Sequence, residues 1–133
     1  MTMLASLRRI LALPVGIVCA SSLALVVESV GHRWFFRATP RFDTMTMDVP
    51  VGAFWMVLLA HTMGTFAGAW VARRLGIPHG RRLGLLVGLF MLALAIANLL
   101  AFAHPAWFAV LDLVLIGAAA WVATRTERNA VVK

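Results

Sequence analysis

Four predominantly apolar stretches, each close to the roughly 20 residues that a helix needs to cross about 30 Å of hydrocarbon, occupy most of a chain of only 133 residues. They run from Ile10 to Gly31, Val51 to Ala72, Leu83 to Ala103 and Ala106 to Thr124. Backbone polar groups in lipid must be paired internally, and no alternating apolar and polar pattern marks barrel strands, so the spans are read as helices. The expected fold is all-α: a polytopic membrane protein forming a four-transmembrane-helix bundle. One membrane domain covers 1–133, with an outer loop at 32–50 and an inner loop at 73–82. Composition agrees, since 62% of the residues are hydrophobic and 13% charged, against an apolar share of about 45–50% in an ordinary soluble globule.

The first span has some features of a secretory signal, because Arg8 and Arg9 precede it and Val18, Cys19 and Ala20 are small. Its apolar run continues through Val27, however, which is longer than a signal's hydrophobic region. A retained helix is expected. Cys19 is the only cysteine, so an intrachain disulfide and a cysteine-rich zinc site are excluded. Gly16, Ile17 and Val18 make a poor lipidation box before it.

Nine of the twelve Lys and Arg residues fall on one side of this layout. They are Arg8 and Arg9, then Arg73, Arg74, Arg81 and Arg82, and finally Arg125, Arg128 and Lys133. Arg33, Arg37 and Arg41 lie on the other side, partly offset by Asp43 and Asp48. The positive-inside rule therefore puts both termini in the cytoplasm and disfavours insertion in two orientations. Trp34, Trp55 and Trp107 fall near the expected outer interface, and Trp70 and Trp121 near the inner one, as two aromatic belts. Asp48 and Pro50 are read as a helix start, and Trp34, Phe35 and Phe36 as a segment lying against the outer membrane face. Pro14, inside the first span, is a candidate bend.

Small residues recur at four-residue spacing. Span two carries Ala60, Gly64, Gly68 and Ala72, span one carries Gly16, Ala20 and Ala24, and span three opens with Gly84 and Gly88. Helices in lipid associate through such close-approach faces. Gly64 and Gly68 serve either packing within the bundle or a seam between two copies.

Ionisable groups inside a membrane are costly and mark functional candidates. Counting about 1.5 Å per residue, Glu28 lies about 5 Å below the outer boundary, Asn98 about 8 Å, Asp112 about 10 Å and His61 near the midplane. His32 and His104 sit just above them. Glu28 and His32 are four residues apart and share a helix face, which suits an ion pair, a proton relay or two ligands of a divalent cation. Asp112 is too short to reach the surface and must face the bundle interior, a cavity or a partner such as Asn98 or His61. His61, with Thr65 one turn further in, is read chiefly as an interhelical donor.

Glu28, Ser29, Val30, Gly31 and His32, together with Ala97, Asn98 and Leu99 and with His104, Pro105, Ala106 and Trp107, resemble a loose group of short four-span bacterial inner-membrane proteins. The resemblance covers nearly the whole chain in length and layout. It implies the same membrane and directs attention to Glu28, Gly31, His32, Asn98, His104, Pro105 and Trp107. It implies no activity, substrate or cofactor.

Three functions remain in view. The first is a structural or accessory membrane protein, which is slightly favoured. The second is a proton- or cation-binding transport component, acting as a homo-oligomer through Glu28 and Asp112. The third is an intramembrane enzyme with a metal or acid–base site made by Glu28, His32, His104 and Asp112. No nucleophile elbow, phosphate loop or dinucleotide fingerprint is present, so no enzyme and no cofactor is expected, with a divalent metal unsupported by any dense ligand motif. Nucleic acid is excluded as a partner, because the basic residues are split among short loops and tails; the lipid bilayer is the expected partner.

Overall fold

The computed structural model describes residues 3–35 and 49–125. Within them lie α1 (Met3–Phe35), α2 (Val51–Leu75), α3 (Gly80–Ala101) and α4 (Ala106–Arg125), each long and apolar enough to cross a membrane. This is an all-α four-helix bundle, and its make-up is that of a multi-pass membrane protein. The positions of Phe36, Arg37, Arg41, Asp43, Asp48, Arg128 and Lys133 lie outside the described residues.

Helix ends follow local chemistry. The Pro50 carbonyl accepts the Ala53 N–H at 2.8 Å and opens α2, while the Gly76 N–H donates to Ala72 at 3.0 Å and closes it. Helix α3 starts at Gly80 rather than at Leu83, because the His79 carbonyl accepts the N–H groups of Arg82 and Leu83 at 3.0 and 3.2 Å. It ends at Ala101 rather than Ala103, where Phe102 turns extended ahead of the His104–Pro105 pair. The Pro105 carbonyl then accepts the N–H groups of Phe108 and Ala109, at 3.0 and 3.2 Å, to begin α4. Helix α1 outruns its apolar stretch at both ends. Gly31 does not stop it, because that residue is buried against Met56 of α2 and lies in ordinary helix. Pro14 lies within α1, with helix continuous on both sides.

Bundle geometry depends on small residues. A Cβ at Gly16 would stand 2.7 Å from the Ala72 Cβ and 2.8 Å from the Gly68 carbonyl oxygen, and one at Gly68 would strike the Gly16 carbonyl and come within 2.6 Å of the Ala20 Cβ. One at Gly64 would stand 2.5 Å from the Ala20 carbonyl oxygen and 3.1 Å from the Ala24 Cβ. The backbones of α1 and α2 are thus in direct contact along Gly16, Ala20 and Ala24 on one side and Gly64, Gly68 and Ala72 on the other. Gly64 and Gly68 face α1 of their own chain, so that surface is not open as a seam between copies. Gly84 and Gly88 of α3 bring it against Thr124 and Ala120 of α4 in the same way.

The core is correspondingly thin, and seven of its ten clustered residues are alanine, with Val87, Met91 and Ile116 filling the rest. Large apolar side chains point outward instead. Val18, Leu25, Leu89, Val110 and Val114 are all about 60% exposed, the pattern of helices solvated by lipid. Helix α2 touches each of the other three helices, as does α3, whereas no Cα of α1 comes within 8 Å of one in α4. The cross-section is therefore a rhombus with α1 and α4 at its far corners.

Gly68→Val should destabilise the bundle by about 2 kcal/mol or more, because the added methyl groups meet backbone that cannot move aside without separating α1 from α2. Gly117, whose added Cβ would meet nothing within 4 Å, should accept alanine within about 1 kcal/mol of wild type. Thermal midpoints of the detergent-purified variants, read by loss of the monodisperse chromatographic peak, check both.

Candidate functional site: a carboxylate–imidazole–carboxylate triad

The contact between α1 and α2 continues in one antiparallel register towards the end of the bundle away from Arg73 and Arg125. Gly16 lies against Gly68, Ala20 and Ala24 against Gly64, and Gly31 against Met56. Between the last two, the same register sets Glu28 opposite His61. The His61 Nε2 lies 3.2 Å from the Glu28 Oε1. On the other side of the ring, Nδ1 lies 2.8 Å from Oδ1 and 3.0 Å from Oδ2 of Asp112 on α4. One imidazole on α2 thereby joins α1 to α4, the two helices whose backbones lie farthest apart in the bundle.

Access to the three groups is graded. The Glu28 side chain is 35% exposed, that of His61 13% and that of Asp112 1%. Asp112 is thus an acid fully inside the protein, with both oxygens turned to one ring nitrogen. Glu28 is its counterpart at the edge of the bundle.

Proton counting follows from the chemistry of the donor set. A carboxylate and an unprotonated ring nitrogen are both acceptors, so each of the two contacts requires one proton between its atoms. Two protons therefore belong to the connected triad. Either both sit on the imidazole, which then donates to two carboxylates, or one sits on the imidazole and the other on a carboxyl group. Removing one leaves lone pair facing lone pair at about 3 Å, in surroundings where unsatisfied polar atoms are expensive.

An aromatic cluster packs at the same end of the bundle. Phe108, one turn before Asp112 on α4, is wholly buried. Its ring stacks on His104 with centroids 5.1 Å apart and planes 14° from parallel, and Phe54, two turns before His61 on α2, meets Phe108 at 5.1 Å and Trp107 at 5.8 Å. Trp55 and Trp107 complete the group at 5.7 Å. His104 Nδ1 lies 2.8 Å from the Phe102 carbonyl oxygen and donates to it, so His104 orders the turn before α4.

Of the residues singled out by depth in the membrane, the structure brings together Glu28, His61 and Asp112. His104 belongs to the aromatic cluster. Asn98 is half-buried on α3, where its backbone carbonyl caps the helix by accepting the Phe102 N–H at 3.1 Å. His32 is largely exposed on α1. The contact that spacing alone does not reveal is Glu28 with His61, since the i,i+4 relation within α1 points to His32 instead. A signal for it exists in the small-residue faces, whose register, extended by one turn, sets these two side chains opposite each other.

With both ring nitrogens engaged by carboxylates, His61 presents no nitrogen to a metal. Among the described residues no group of three His, Cys, Asp or Glu side chains is arranged to hold one. Thr65, one turn further along α2, is fully buried, and its Oγ1 has no hydrogen-bond partner among the described residues. Comparison with protein families, with curated proteins and with solved structures finds no match to this chain.

Asp112→Ala should destabilise the protein by roughly 3 kcal/mol, the cost of leaving a buried partner uncompensated. Glu28→Ala, at a position partly open to its surroundings, should cost about 1 kcal/mol or less. Combining each with His61→Ala in double-mutant cycles, with unfolding followed by circular dichroism in mixed micelles, should give a larger coupling energy for the Asp112 pair than for the Glu28 pair.

Proposed function

We propose that this chain is a proton-responsive component of a bacterial inner membrane, with both termini in the cytoplasm and with Glu28, His61 and Asp112 as its proton-binding site. A single observation carries the reading: both nitrogens of one imidazole meet carboxylates borne by two helices whose Cα atoms nowhere come within 8 Å of each other. Proton occupancy then sets how firmly α1 and α4 are held to α2. Interhelical polar contacts in membranes contribute about 0.6–2 kcal/mol each. A loss of that size changes the balance between two bundle arrangements by about 3- to 30-fold.

The cytoplasmic placement of the termini is supported by the arginines gathered at the end where α1 begins and α4 finishes. The bacterial membrane is supported by the resemblance to short four-span proteins. The role proposed is accessory rather than enzymatic and needs no cofactor. The hydroxyls next in sequence to the triad are already engaged, Ser29 donating to the Leu25 carbonyl and Thr62 to the Leu58 carbonyl, each at 2.6 Å. Neither is presented to His61 as a nucleophile.

Conduction of protons by a homo-oligomer is the second reading, favoured by Thr65. That side chain supplies a polar atom one turn deeper than His61 on the same helix face. Proteoliposomes separate the two readings: an imposed proton gradient that decays faster than in empty vesicles, and is slowed by Thr65→Val, belongs to conduction alone.

The proton site is tested by tryptophan emission against pH for the protein in nanodiscs, since Trp55 and Trp107 lie in the aromatic cluster next to the triad. Wild type should show a sigmoidal transition that His61→Gln removes. Glu28→Gln and Asp112→Asn should each move its midpoint by about 1 pH unit or more. His32→Gln and His104→Gln should retain it. A transition that survives His61→Gln unchanged would sink the assignment.

A further inference from the structure

The opposite end of the bundle is concave. A recess of about 760 Å³ opens where α2 ends, α3 begins and α4 ends, and Arg73, Arg74, Arg81 and Arg125 all line it, with Gly80 and Thr124 in its wall. Both carboxylates among the described residues, Glu28 and Asp112, are on His61 at the far end. The described side chains here therefore carry charge of one sign.

The arginines are held in defined places. Arg73 donates from Nη1 to the Ala123 carbonyl at 3.2 Å, so that α4 fixes its fork at the recess. The Arg125 guanidinium lies 3.6 Å over the Trp121 ring, and that of Arg74 lies 5.0 Å over the Trp70 ring. The Arg125 guanidinium, stacked by its face on Trp121, turns its N–H edge to in-plane acceptors, the geometry that suits a phosphate. Gly80 contributes in a second way. A side chain there would collide with the Arg73 carbonyl, so its absence lets the first turn of α3 press against the end of α2. Gly80 and Arg81, the first two residues of that 22-residue helix, lie in the wall of the recess and bring the positive end of its dipole there. From α1, the Arg9 Nε donates to the Ile77 carbonyl at 3.0 Å and braces the turn that forms the rim.

Location selects the ligand. Trp70 and Trp121, 40% and 47% exposed, mark the level where a helix leaves hydrocarbon for headgroups, and their rings carry two of the arginines. A phosphate seated here would be at headgroup height, with lipid-facing surface directly beside it. We propose that the recess is a phosphate-binding site occupied by the headgroup of an anionic phospholipid. Arg73, Arg81 and Arg125 contact the phosphate oxygens, while the acyl chains lie along the exposed apolar flanks of the bundle.

Native mass spectrometry of the protein in a neutral detergent, with phosphatidylglycerol and phosphatidylcholine added in equal amounts, tests this. Wild type should retain phosphatidylglycerol about tenfold more than phosphatidylcholine, a difference that rising salt reduces. Arg81→Gln with Arg125→Gln should bring the ratio within about twofold of unity, while Arg33→Gln, at the other end, should leave it unchanged. If the double glutamine variant fails to fold, Arg81→Lys with Arg125→Lys keeps the charges and removes the forks, and the ratio should still fall. Equal retention of the two lipids by wild type would overturn the proposal, as would a preference that persists in the variants. Binding of inorganic phosphate alone, without a preference between the lipids, would assign the recess to a soluble anion and overturn its assignment to lipid.

Discussion

Direct backbone contact between α1 and α2 is the constraint on which the rest of the molecule depends. Lipid offers helices no hydrophobic reason to associate, so the bundle relies on close approach, and close approach requires side chains to be missing. Gly16, Gly64 and Gly68 supply that absence, with Ala20, Ala24 and Ala72 completing the face. The register they impose leads directly to Glu28 opposite His61. A shift of one residue between these helices would turn Glu28 away from the ring. The chemistry at one end of the bundle is thus positioned by atoms that are not there in its middle.

The triad itself joins parts that packing leaves separate. Helices α1 and α4 occupy opposite corners of the rhombus, and the His61 ring reaches both by having two nitrogens on opposite sides. Lysine or arginine at this place would also attract two acids, but each would do so at any pH compatible with folding. Imidazole is the side chain whose charge changes within the ordinary range of cellular conditions. The choice of histidine between two acids therefore makes sense where the strength of the junction is meant to vary.

Much of this was legible in the residues. Span boundaries came out within a few positions for α2, α3 and α4, because hydrocarbon thickness sets a length that apolar runs must meet. The longer α1 was not, since Arg8, Arg9, His32 and Arg33 lower hydropathy without breaking a helix, and apolarity does not mark where helix geometry stops. Depth alone selected Glu28, His61 and Asp112 as groups needing partners. It offered His61 or Asn98 to Asp112, and the contact made is with His61; for Glu28, spacing along α1 points to His32, whereas the contact made depends on the relative register of two helices. The basic residues were read only as signals of orientation. That four of them share one recess depends on how α2, α3 and α4 end at a common level, which no local pattern records.

Helix α1 has 33 residues, which at about 1.5 Å per residue is roughly 50 Å of rod in a hydrocarbon layer of about 30 Å. A free helix would resolve such a mismatch by leaning over. This one is fastened side by side to the shorter α2 and has no independent tilt. Its surplus must extend past the hydrocarbon at each end, with Arg8 and Arg9 at one and His32, Arg33 and Trp34 at the other. Both ends of the helix that carries Glu28 therefore reach into the headgroup layer, one of them tied down there by the Arg9 Nε on the Ile77 carbonyl.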